Sequence, residues 1–245
     1  MMGCKNKAEP QIILQVNTPA ELETRLKALN IRVPARGDGR KSHHVERYCV
    51  AHLLATLPII RFSFPLTLIH SDKPDFVLAM SQGDVGIEHT EAVHENDARA
   101  DVMRGNSSGK KVYYIRRATL GEPRKTDTEL MREIKADASG DGWFGKSAER
   151  EWADAMAFYI KKKLPKAMAD GFVRYPENWL IVYNNWRLPS IDSELAASYL
   201  VPHLADMEAF SVFNTIFVLN NLNLKMCEFR RDCSEVHERD SFWNE

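Results

Sequence analysis

The segment Lys73-Pro74-Asp75-Phe76-Val77-Leu78-Ala79-Met80-Ser81-Gln82-Gly83-Asp84-Val85-Gly86-Ile87-Glu88-His89-Thr90 carries the pattern from which the fold can be read. Two apolar runs, Asp75 to Met80 and Val85 to Val93, flank Ser81-Gln82-Gly83-Asp84, whose composition is that of a hairpin turn. With Ser81 facing Asp84, or with a four-residue loop closing at Met80 and Val85, Asp75 pairs with Thr90 and Val77 with Glu88. Asp75, Val77, Glu88 and Thr90 then share one face, with the two acids diagonal neighbours roughly 7 Å apart. Two carboxylates so placed repel each other and cost desolvation unless a cation lies between them. A hard divalent ion with oxygen ligands, Mg²⁺ first, suits such a site.

On either side of this hairpin the periodicity alternates between helix and strand. Thr18, Pro19 and Glu21 announce a first helix running to about Asn30, with a hydroxyl cap, a pre-set first-turn φ and a capping-box carboxylate. Residues 32 to 42 (RVPARGDGRKS) read as a basic connector. Ser42 opens a second helix to about Thr56, with Glu46, Val50, Leu53 and Leu57 on one stripe. From Arg61 to Ile69 the period becomes two, which predicts a strand. Residues 94 to 146 are polar and Gly-punctuated, an insertion with one strand-like piece, KKVYYIRR, and a helix near 127 to 136. Ser147 caps a third long helix to about Leu164, where Pro165 should end or kink it. A buried strand (Trp179 to Tyr183), a helix (about Ser193 to Met207) and a strand (Thr215 to Leu219) follow. The tail beyond Glu228 is charged and expected to fray. The predicted fold is mixed α/β: a helical extension and linker over 1–41, a core over 42–228 carrying the 94–146 insertion, and a tail over 229–245.

Pro74-Asp75 on the second strand, Glu88 on the third, a preceding helix with Glu46 and a following helix and strand resemble the PD-(D/E)XK nuclease superfamily, the restriction-endonuclease-like fold. The resemblance covers roughly residues 42 to 93 and 147 to 219. It implies an αβββαβ core with a mixed central sheet flanked by helices. It also implies that Asp75 and Glu88 hold Mg²⁺ (or Mn²⁺), that His89 adds its backbone carbonyl, and that Glu46 assists. The superfamily's lysine is missing: Thr90 stands two residues after Glu88 and supplies no positive charge. Successive helical residues turn by about 100°, so Trp152, Met156, Tyr159 and Lys163 fall on one line while Lys161 points nearly opposite. Lys163 is therefore the candidate for a migrated cation, with Lys162 and Lys166 next.

The function this implies is a Mg²⁺-dependent endonuclease hydrolysing phosphodiester bonds, with DNA as the expected substrate and RNA as the other the resemblance permits. The substituted lysine position leaves an alternative, a catalytically silent nuclease-like module that binds nucleic acid or protein; a hydrolase of nucleotides or other phosphodiesters is the third. Residues 104 to 125 hold seven Lys/Arg against one Glu. Within them Lys110, Lys111, Tyr113, Arg116 and Arg117 interleave cations with aromatics, as a phosphate-gripping, base-stacking strand does.

Composition limits the other possibilities. The chain has 245 residues, 44% of them hydrophobic, and 33 Lys+Arg balance 34 Asp+Glu to a formal charge of −1. Its overall field therefore recruits no polyanion, and any such partner must be held by a local patch. Four cysteines, Cys4, Cys49, Cys227 and Cys233, are too sparse for a disulfide framework and favour a reducing, cytoplasmic setting. The opening MMGCKNKAEP lacks a signal peptide's apolar run, and the apolar stretch Leu57 to Ile69 is too short for a bilayer and contains Arg61 and two prolines. No membrane partner is expected. Cys227, Cys233 and His237 lack a fourth zinc ligand at a standard spacing. His43, His44 and His70 show no partner pattern.

Overall fold

The computed structural model describes residues 10–105, 118–136, 141–220, 224–239 and 242–243. Among them, eight strands form one mixed sheet whose spatial order is the chain order: β1 (Gln11–Val16), β2 (Leu66–His70), β3 (Phe76–Met80), β4 (Val85–Ala92), β5 (Glu177–Asn184), β6 (Thr215–Asn220), β7 (Lys225–Arg230) and β8 (Cys233–Glu238). Strands β4, β5 and β6 run parallel, and every other neighbouring pair is antiparallel. Parallel neighbours need long crossovers, and these contain α5 (Ser147–Met168) and α6 (Ser193–Asp206). The other helices are α1 (Pro19–Ala28), α2 (Ser42–Thr56), α3 (Glu95–Gly105) and α4 (Asp127–Ala136). No described helix is long and apolar enough to cross a membrane.

Strand alternation divides the interior in two. Phe76, Leu78, Val85, Ile87, Trp179 and Ile181 pack on one face beneath α1 and α2. Leu180, Val182, Ile216 and Val218 pack on the other against Trp152, Met156 and Ile160 of α5 and Leu200 of α6. The hairpin residues Asp75, Val77, Gly86 and Glu88 are of the second parity, so they face the α5 side.

The helices start where expected, but Ser42 and Ser147 are first helical residues rather than caps, the cap positions being Lys41 and Lys146. The Thr18 hydroxyl accepts from the Glu21 N–H at 3.2 Å, and the Glu21 carboxylate accepts at 2.8 Å from the N–H of Asn17 rather than that of Thr18. The second helix occupies Ser42–Thr56. Four expectations are corrected. The first element is a strand, because the short apolar alternation of Gln11–Val16 completes an edge beside β2, so residues 1–41 are more than a helical extension. The strand expected from Arg61 starts at Leu66, since Ile59–Arg61 form a 3₁₀ turn and Pro65 has no N–H for the ladder. Helix α5 continues through Pro165 to Met168; the proline is exposed and close to the helix end, where the freed carbonyl is open to water. The described part of the tail does not fray: β7 and β8 extend the sheet, and Phe242 and Trp243 return to the α1–α2 core. Charge there does leave most side chains of β8 exposed, but its backbone pairs along the whole of β7.

Within the expected insertion, helix α4 lies where the pattern put one, and α3 precedes it without an apolar stripe to announce it. Arg99 of α3 joins the two by binding the Lys125 carbonyl at 2.5 Å and the Asp127 carboxylate.

Candidate active site

The hairpin register differs from the expected one by two residues. Phe76 pairs with Ile87, Val77 with Gly86 and Leu78 with Val85, which brings Asp75 opposite Glu88 rather than Thr90. The ladder closes at Leu78 and Val85, so the loop is longer than a tight turn, with Gly83 at φ +138° donating to the Met80 carbonyl. A two-residue slip leaves every side chain on its own face. The shared face therefore stands, and the acids are direct rather than diagonal neighbours.

Asp75 lies just outside β3, where the ladder to β4 has ended. Side chains bridge the opening: the Asp75 N–H donates to Glu88 Oε2 at 3.2 Å, and the His89 N–H donates to Asp75 Oδ2 at 2.7 Å. Glu88 and His89 are 7% and 8% exposed. Burial, and then the neighbouring Glu88 charge, push the Asp75 carboxyl up to about 7, against the opposing pull of Lys163 and the His89 N–H. Desolvation and a neighbouring like charge both favour the neutral acid. An extended residue projects its N–H and C=O to the same edge, so the His89 carbonyl faces the same opening as its N–H.

Lys163 enters from α5. Its ammonium is 2.7 Å from Glu88 Oε1 and 16% exposed, while Lys161, Lys162 and Lys166 are exposed to solvent. Lys162 lies over the Phe158 ring, 4.1 Å from its centre. Thr90 has the parity of Glu88, one strand repeat beyond it. Tyr159, one helical turn before Lys163, donates from its hydroxyl to the Val93 carbonyl at 2.5 Å and so ties α5 to the end of β4.

Glu46 stands on the α2 side, with Oε2 3.2 Å from His70 Nε2. It is near enough that its charge contributes to the raised Asp75 carboxyl. His70, for which no partner pattern was legible, is that partner, and its ring lies edge-on to Phe76 with centres 5.1 Å apart. The signal was strand parity: Leu66, Leu68 and His70 alternate onto the face that α2 covers. The His89 ring points to the same side, and burial first, then the Lys163 and Arg40 charges, hold its pKa down at about 3. The stretch with Lys110, Lys111, Tyr113, Arg116 and Arg117 lies outside the described residues.

The donor set fits a hard divalent cation. It comprises two converging carboxylates, one poised to lose its proton near neutrality, and a carbonyl directed to the same opening. A second acidic group, Glu228, Glu235 and His237, also gathers potential ligands. There Glu228 already meets Arg61 and Arg230 at 2.8 Å and His237 at 2.9 Å, a neutralised ion-pair hub. Cys227, on the strand next to the edge strand β8, is buried on the other parity and accepts a contact from Asn220 Nδ2 at 3.8 Å. No protein-family model, curated protein or solved structure matches this chain.

Proposed function

We propose that this protein is a metal-dependent nuclease of the restriction-endonuclease-like kind, hydrolysing phosphodiester bonds in DNA. The observation that carries the reading is the convergence of Asp75, Glu88 and Lys163 where β3 and β4 part. The element order supports it, since α2, β2, β3, β4, α5 and β5 follow one another as helix, three strands, helix, strand, with the α3–α4 unit inserted. Mg²⁺, with Mn²⁺ as its substitute, would be held by Asp75, Glu88 and the His89 carbonyl. When bound, such an ion lowers the pKa of a water, polarises a phosphoryl oxygen and offsets the charge of the pentacovalent state.

The chain's own residues do the rest. Burial, and then the Glu88 charge, raise the Asp75 pKa, and a cation held there would favour the ionised carboxylate. Lys163 orients the Glu88 carboxylate and brings to the opening the positive charge that Thr90 does not supply. His70 fixes the Glu46 carboxylate on the α2 side, where it accepts a proton or orients a water. The buried, neutral His89 ring and Phe76 close the floor against bulk solvent.

Melting curves in EDTA, Mg²⁺ and Mn²⁺, run beside plasmid cleavage, test this reading. The ions should raise the melting temperature of the wild type but not of Asp75→Ala or Glu88→Ala, and cleavage should vanish in both variants. Equal shifts in all three proteins would remove the metal site. A metal shift without cleavage of DNA or RNA would favour the silent binding module.

A further inference from the structure

At the start of α2, on the sheet face opposite Lys163, a cavity of about 420 Å³ is lined by Arg36, Arg40, Lys41, Ser42 and Arg99, with Glu91 and Glu95 as its carboxylates. Arg36 Nη2 and Arg40 Nη2 lie 2.5 and 2.8 Å from one oxygen, Glu91 Oε1, which also accepts from Asn185 Nδ2 at 2.8 Å. One carboxylate compensates one of these two guanidiniums. Each guanidinium has five N–H donors in a planar fork suited to phosphate oxygens. Arg36 and Arg40 are 19% and 13% exposed, so they are packed in place rather than free to swing.

Two further observations point to an anion. The first turn of α2 contains no acidic residue to offset the positive end of the helix dipole, and Lys41 and Ser42 at that end line the cavity, although the Lys41 N–H itself donates to His44 Nδ1 at 3.0 Å. A second hollow of about 380 Å³ adjoins the same helix start, lined by Arg32, His43, His44 and Arg47 with Asp38. Burial, then the charges of His44 and Arg47, hold the His43 pKa below its ordinary value, as a region of positive potential does. The cavity flanks the strand that carries the acid pair, since Glu91 is three residues beyond Glu88 on β4 with its side chain on the opposite face of the sheet.

We propose that Arg36, Arg40 and Lys41 seat a backbone phosphate of bound DNA. The choice of DNA rests on the nuclease reading, whereas the phosphate seat itself needs no metal and no cleavage. The segment first legible as a basic connector thus becomes a contact to the nucleic-acid backbone.

Fluorescence anisotropy with a labelled duplex of about twenty base pairs, in EDTA over a KCl series, tests the seat. Lys41→Glu leaves the Glu91 network intact; it should weaken binding about tenfold and lower the slope of log K against log salt by about one. The double variant Arg36→Gln/Arg40→Gln should flatten the slope further, while Arg150→Glu on α5 should leave both quantities unchanged. Unaltered binding in the first two proteins, or no salt-dependent binding by the wild type, would overturn the proposal. Asp75→Asn separates the two readings, because it should lose cleavage and keep this binding. Cleavage that persists in Asp75→Asn would overturn the nuclease reading without touching the phosphate seat.

Discussion

The Lys163 ammonium sits 2.7 Å from the Glu88 carboxylate, joining the last turns of the longest helix to the middle of the first parallel strand. This contact makes the buried acid pair tolerable: one cation stands against two carboxylates, while burial first and the Glu88 charge second still hold the Asp75 carboxyl at about 7. A divalent ion held there, as proposed, would supply further positive charge.

Removing the cation should expose that imbalance. Lys163→Met, measured without metal at pH 8, is expected to lower stability by about 3 kcal/mol, since a buried pair that loses one member leaves an uncompensated charge. At pH 5 the protonated carboxyl should relieve most of the loss. Cleavage should fall by roughly a hundredfold or more. Undiminished cleavage would reject Lys163 as the migrated lysine while leaving the acid pair in place.

Asp75 sets a pH dependence whose sign follows from its shift. Its folded pKa, about 7, lies above its ordinary value of 3.8. The contribution to stability is thus full below pH 3.8 and is lost as the pH rises through 7. Asp75→Asn removes that loss and still accepts from the His89 N–H. In EDTA at pH 8 it should melt higher than the wild type, by an amount on the order of 2 kcal/mol, and the gain should shrink towards pH 4. A variant that melts lower at pH 8 would mean that the carboxylate is fully compensated.

Gly86 holds the hairpin against its neighbours. A Cβ there would meet Tyr175 Cδ2 at 2.7 Å, Pro74 Cγ at 3.1 Å and Asn178 Oδ1 at 3.2 Å. Gly86→Ala should cost about 1–3 kcal/mol as overpacking. Because Pro74 precedes Asp75, the displacement should also reduce cleavage more than the melting temperature alone accounts for. A neutral substitution would show that the Tyr175 ring yields freely.

Glu228 is a buried charge with a structural duty. It is 1% exposed; burial alone would raise its pKa, but its bonds with Arg61, His237 and Arg230 bring it below the ordinary value. Its stabilising contribution is present above the unfolded carboxyl pKa and disappears as the pH falls through the folded one. Glu228→Gln should cost about 3 kcal/mol at pH 7 and much less near pH 4, with metal-induced stabilisation at Asp75 and Glu88 unchanged. Lost metal response in this variant would tie the two clusters together.

The sequence by itself determined the hairpin, the shared face of Asp75 and Glu88 and the helical phase that turned Lys163 inward, because strand and helix periods are local properties that survive a register slip of two. It also determined the α2 boundaries and the position of α4. The tertiary structure alone decided that Asp75 faces Glu88 directly, because the end of a ladder depends on loop length and on the strands beyond it. It alone paired His70 with Glu46, brought Arg36 and Arg40 onto Glu91, and folded the charged tail into β7 and β8. Each of these joins charges far apart in the chain, and a charge reads as exposed until the partner that neutralises it is brought alongside.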